Sequence, residues 1–147
     1  MNAVTSETSC LLLEGHERSL LSYFMTTPGA CGEFLHRVSP EIFFIPAHRK
    51  ILDAIRDVYD EREKVNHLTV SDRLREKGEL DSCGGVPRLI EISNETTSAD
   101  IADYALECVL DAYGDREAMQ ICKLGASGKS LPLRLVRNWT RFFRSYR

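Results

Sequence analysis

Ser39-Pro40-Glu41-Ile42-Phe43-Phe44-Ile45-Pro46-Ala47-His48-Arg49-Lys50 is the stretch that decides the reading of this chain. Ser39 suits a helix N-cap, Pro40 suits the first helical position, and Glu41 sits where the helix dipole favours a negative charge. Phe43, Phe44 and Ile45 close that short turn with a dense apolar cluster. Pro46 breaks it and can begin the next helix. Beyond Pro46, His48, Ile51, Leu52, Ile55, Val58 and Tyr59 recur at steps of three and four, and Arg49, Lys50, Asp53, Arg56, Asp57 and Asp60 fill the other face. The spacing predicts one amphipathic helix that is the strut for its neighbours.

Upstream, Leu13, Leu20, Leu21, Phe24 and Met25 mark a first helix over Leu13 to Thr26, with Glu14, Glu17 and Arg18 on its outer side. Thr27-Pro28-Gly29 ends it. Residues 1–12 have no period and read as a disordered N-terminus. Cys31, Phe34, Leu35 and Val38 predict a second helix from about Ala30 to Val38. Downstream, Thr69 with Asp72 reads as a capping box for a helix that runs to Lys77 and stops at Gly78. Gly84-Gly85 reads as a tight turn into a short helix with Val86, Leu89, Ile90 and Ile92 inward. Ser98 caps a further helix whose stripe is Ile101, Tyr104, Ala105, Cys108, Val109 and Ala112. Gly114 is expected to weaken or kink it before a continuation to about Leu124. No alternating run demands a strand, so the fold class is all-α: a compact head of about six helices, then a partial or altered helical hairpin.

At 147 residues the chain reads as one domain with a tail, and it is long enough to bury roughly 68–70% of its unfolded surface without a disulfide or metal. A hydrophobic content of 43% and a charged content of 28% are those of a soluble globular protein. The net charge of -3 argues against global attraction to nucleic acid. Five cysteines, odd in number and without a C-x-x-C pair, argue for a reducing cytoplasm rather than a disulfide framework or zinc site. Leu11–Leu13 is too short an apolar run for a signal peptide or membrane span, so no membrane is expected.

No motif assembles a catalytic site. Gly128-Lys129-Ser130 has the end of a phosphate loop, but Lys123 stands where its first glycine belongs and a helix precedes it. His48 has no His, Cys or carboxylate beside it by helical spacing and reads as an interior histidine bonded to a neighbouring loop. His16, His36 and His67 lack metal-ligand spacing. The expectation is no catalytic residue, no metal and no cofactor. Residues 131–147 differ in composition: Arg134, Arg137, Arg141, Arg144 and Arg147 stand without an acidic residue, and Leu135, Val136, Trp139, Phe142, Phe143 and Tyr146 gather on one side of a helical wheel. This basic amphipathic tail, with Arg134, Arg137, Trp139, Arg141 and Arg144 as its contact candidates, suits a partner protein, an anionic membrane or phosphate.

Together these residues resemble a known family. The order is Leu13-Glu14-Gly15-His16-Glu17, then Ser39-Pro40-Glu41-x-Phe43-Phe44-x-Pro46-Ala47-His48-Arg49-x-Ile51, then Thr69-Val70-x-x-x-Leu74 and Gly78-Glu79-Leu80-x-x-x-Gly84-Gly85. Leu89-Ile90-x-Ile92 and Ser98-Ala99-x-Ile101-x-x-Tyr104-Ala105 complete it. The pattern resembles the N-terminal domain of the DnaB-type bacterial replicative helicase, over about Leu13 to Leu124. The resemblance implies a helical head and hairpin that pair into a collar and receive the C-terminal domain of primase. It implies that ATP hydrolysis and unwinding belong to a separate motor domain. Ser39, Pro40, Phe43, Phe44, Pro46, His48, Arg49, Gly84, Gly85 and Tyr104 are its structural motif. The division expected is therefore 1–12 disordered, 13–124 helicase N-terminal domain, and 125–147 Gly/Ser linker and basic tail. The chain reads as a non-enzymatic, cytoplasmic interaction module that binds primase, a loader or a second copy of itself. Two alternatives stand beside it: a nucleic-acid-binding accessory protein acting through the tail, and an inactive remnant of a split helicase gene.

Overall fold

The structure, a computed structural model, describes residues 2–62, 64–95, 97–130 and 137. Among these there are six α-helices and no strand: α1 (Asn2–Thr26), α2 (Ala30–Phe34), α3 (Pro46–Asp60), α4 (His67–Glu76), α5 (Gly85–Ser93) and α6 (Ala99–Ala126). Short 3-10 turns at Leu35–Arg37, Pro40–Ile42 and Asp81–Cys83 join them. The all-α expectation holds. The chain divides into two compact units, Met1–Val109 and Leu110–Arg147.

In the first unit α3 is the strut that its periodicity predicts. His48, Ile51, Leu52, Ala54, Ile55 and Val58 are buried along one face, and α3 packs against α1 and α4. α5 packs in turn on α1 and α4. Leu20, Leu21 and Phe24 from α1, Leu74 from α4, Leu89 and Ile92 from α5 and Leu106 from α6 complete the core. Each such fully buried side chain contributes about 1.5–3 kcal/mol relative to exposure. Ser22 Oγ donates to the Glu95 carbonyl at 2.7 Å, which ties α1 to the exit of α5. In the second unit the α6 helix carries buried Tyr113, and the Arg116 guanidinium lies 5.7 Å from the centre of the Tyr113 ring.

Several boundaries differ from the sequence pattern, each for a local reason. α1 begins at Asn2 rather than Leu13, so the backbone of residues 2–12 is helical and not disordered. Leu11 and Leu12 are exposed there, which is why no apolar period announces the helix. α2 tightens into a 3-10 turn after Phe34 instead of continuing to Val38. Ser39 precedes the Pro40 turn, but its side chain makes no cap bond. The capping box of α4 is Asn66 with Thr69, not Thr69 with Asp72. Asn66 Oδ1 accepts from the Leu68 and Thr69 amides at 2.8 and 3.1 Å, and Thr69 Oγ1 accepts from the Asn66 amide at 3.1 Å.

Gly78 ends α4 as expected. At φ 68° it donates to Arg75, while Glu79 donates to Leu74, the pair of bonds that closes a left-handed helix end. α6 remains helical through Gly114 to Ala126. It ends in the same way, with Gly128 donating to Gly125 and Lys129 to Leu124. The Gly128-Lys129-Ser130 stretch is therefore a helix C-terminus, where carbonyls are presented, and its first two amides are engaged by α6 itself. The expected second hairpin helix lies outside the described residues.

Candidate functional site

Glu17 is the residue that the sequence pattern misplaced. Its neighbours Glu14 and Arg18 reach the surface, where Glu14 pairs with Arg88 at 2.8 Å and Arg18 pairs with Glu91 at 3.5 Å and with Glu95. Glu17 instead turns inward and is 0% exposed. Its Oε2 lies 2.8 Å from His48 Nδ1 and accepts from the Ile45 amide at 3.3 Å; its Oε1 accepts from the Phe44 amide. Phe44 and Ile45 immediately precede α3, whose first residue, Pro46, has no N–H to offer. Ile45 occupies the N-cap position and has no capping side chain. Glu17 therefore supplies from α1 the carboxylate that the start of α3 lacks, at the end of the helix where negative charge is favoured.

Chemically this is a carboxylate–imidazole pair, the arrangement that orients a general base. His48 is only 2% exposed and Phe43 stands edge-on to it, with ring centres 6.5 Å apart. No substrate reaches either group, and the pair is a structural clamp between α1 and α3. The sequence pattern placed His48 inside but sought its partner at helical spacing or in a loop. The partner comes from another helix, at the centre of a face that a charged residue seemed to exclude. Among the described residues no group of three or more His, Cys, Asp or Glu side chains is placed to hold a metal.

The rest of the motif surrounds this clamp. Phe43 is 0% exposed and anchors the core, whereas Phe44 is 43% exposed, so the apolar cluster splits. Arg49 Nε donates to the Phe43 carbonyl at 2.6 Å, fixing the same turn from the other side. Pro40 and Pro46 each occupy a first helical turn. Gly84 and Gly85 adopt φ of 91° and 74° at the start of α5. A Cβ on Gly84 would stand 2.9 Å from Arg88 Cβ, so this turn requires glycine twice over. Tyr104 is the exception. It was expected on the inner stripe of α6, and it is 61% exposed. Ile101 is likewise exposed, while Ala102 and Leu106 are buried, so the inner face is rotated from the one the spacing suggested. Of the tail candidates, Arg137 is helical and exposed; Arg134, Trp139, Arg141 and Arg144 lie outside the described residues.

A helical head held by an internal, substrate-free clamp defines a small all-α domain without an accessible catalytic constellation among its described residues. The family model for the DnaB-like helicase N-terminal domain matches residues 14–111, and this chain belongs to that family. The replicative DNA helicase DnaB of Rhodothermus marinus is 31% identical over 88 residues, covering 60% of this chain and 9% of that protein. That of Leifsonia xyli is 28% identical over 126 residues, covering 83% of this chain and 28% of its own length. The chain thus spans well under half the length of these relatives. Among solved structures, the N-terminal domain of DnaB helicase from Mycobacterium tuberculosis superimposes with a TM-score of 0.69 at 26% identity. The match covers 88% of this chain and 94% of that one. No helix among the described residues is long and apolar enough to cross a membrane.

Proposed function

We propose that this chain is a non-catalytic interaction module of the DNA replication machinery, working in the cytoplasm. It binds the C-terminal domain of primase, a helicase loader or a second copy of itself, and carries no ATP hydrolysis or unwinding of its own. The observation that carries the reading is the match of residues 14–111 to a helicase N-terminal domain, in a head whose buried acid–base pair is closed to substrate. In such a module, binding energy comes from helix faces and a few exposed anchors rather than from a pocket. The test is the molar mass in solution by light scattering, with and without a primase C-terminal domain. A dimer or larger assembly, or a stable complex with the primase domain, is expected. A monomer that ignores primase overturns the reading.

A second reading rests on the arginines at 134, 137, 141, 144 and 147, which stand without a neighbouring acid. It makes the tail a nucleic-acid contact, and it predicts DNA binding that weakens steeply with salt and disappears when those arginines are changed to glutamine.

A further inference from the structure

The exposed side of α6 has an order that the head does not use. Ile101, Tyr104 and Cys108 stand at steps of three and four, the spacing of the seam positions of a helix pair. Ile101 is 50% exposed and Tyr104 61%, and Cys108 is partly exposed. Their ring and alkyl surface faces outward while Ala102, Ala105, Leu106 and Val109 hold the other side of the same turns in the core. Cys108, one helical turn on from Tyr104, pushes the ionisation of the Tyr104 hydroxyl up through a side-chain hydrogen bond. His16 of α1 meets Tyr104 edge-on with ring centres 5.6 Å apart, and exposed Leu12 lies one helical turn before His16.

Asp100 and Glu107 flank this seam, one residue before Ile101 and one before Cys108. Both are exposed, and neither takes part in an ion pair among the described residues. Two helical turns, about 10.5 Å, separate them. Asp103, further round the helix, is already paired with Arg37 at 3.1 Å. An apolar seam with acidic side positions selects a partner whose own side positions are basic, because these flanking charges choose partner and orientation in helix pairs. A second copy of the same face offers no counter-charge: antiparallel pairing sets carboxylate against carboxylate, and parallel pairing sets Asp100 and Glu107 against Ala105 and Ala112.

We propose that the Ile101–Tyr104–Cys108 seam of α6 is a docking site for a basic amphipathic helix of a partner protein, with lysine or arginine seven residues apart opposite Asp100 and Glu107. The proposal rests on the interaction-module reading and names the chemistry of the element that docks.

The test uses the full chain and two fluorescein-labelled peptides of about three heptads. Both have leucine at the seam positions; one has arginine and the other glutamate at the flanking positions. Fluorescence anisotropy is expected to show binding of the arginine peptide, weakened at least about tenfold by D100K/E107K and by Tyr104→Ala. The glutamate peptide is expected to bind only D100K/E107K. E41K/D72K, which changes the net charge equally at exposed carboxylates elsewhere, is expected to leave the arginine peptide's affinity unchanged. Equal weakening by E41K/D72K, or indifference to D100K/E107K, overturns the proposal. A peptide copying residues 131–147 that binds with the same dependence on Asp100 and Glu107 reassigns the occupant to a second copy and also overturns it. Failure here while the primase domain still binds removes this face alone. Success here without primase binding removes that partner and keeps the face.

Discussion

Glu17 and His48, 31 positions apart in sequence, meet at 2.8 Å with neither side chain more than 2% exposed. The carboxylate also holds the Phe44 and Ile45 amides. Removing it leaves a buried imidazole and two part-buried N–H groups without that acceptor, and unmet buried groups cost about 1–3 kcal/mol each. Glu17→Ala is expected to lower unfolding stability by about 3–5 kcal/mol in urea titration. Glu17→Gln, which retains the shape and one acceptor oxygen, should cost less. A loss under about 1 kcal/mol for the alanine variant would show that the clamp is not a strong tie.

Phe43 and Phe44 are neighbours with opposite fates. Truncating the first opens a cavity beneath α3, and Phe43→Ala is expected to cost about 3–5 kcal/mol. Phe44 is 43% exposed, so Phe44→Ala should cost less than about 1.5 kcal/mol on the basis of its smaller buried area. Equal losses in parallel denaturation curves would contradict this assignment.

The Asn66–Thr69 box predicts a smaller, separable effect. Asn66→Ala frees the Leu68 and Thr69 amides at the start of α4 and should cost about 1 kcal/mol. Thr69→Val, which keeps the shape but loses the reciprocal bond, should cost no more. Hydrogen exchange would report the loss at the first turn of α4, and unchanged protection there would refute the cap.

Burial pushes the Cys31 thiol up to about 11. The unfolded thiol ionises near about 8.5, so the folded state keeps a proton that the unfolded state releases. The resulting stability is complete below about 8.5 and is lost as pH rises through about 11. Cys31→Ala should flatten that alkaline decline in thermal unfolding. In the wild type, exposed Cys10 and Cys122 should react with a thiol reagent well before Cys31. Simultaneous labelling would show that Cys31 is accessible.

The strut, its proline starts and the glycine stops were legible because each is written locally. Pro46 has no N–H, Gly78 needs a positive φ, and the α3 spacing repeats for four turns. What escaped was non-local. A glutamate between polar neighbours reads as surface, and only the approach of α3 shows that it caps another helix. The rotation of α6 escaped for a related reason. Tyr104 is large and apolar in most of its area, and Ala102 is small, yet the alanine is buried and the tyrosine exposed.

Because α3 takes its cap from α1, the two helices are coupled as they form. An isolated peptide of residues 46–60 would have the strut's apolar face but would lack the Ile45 carbonyl that takes the Arg49 amide and the Glu17 partner of His48, and it should fray at its first turn. The head's order therefore depends on closing a long loop before its central element is complete, which favours all-or-none assembly over stepwise growth from the strut. A partner that pulled α1 away would loosen the start of α3 along with it.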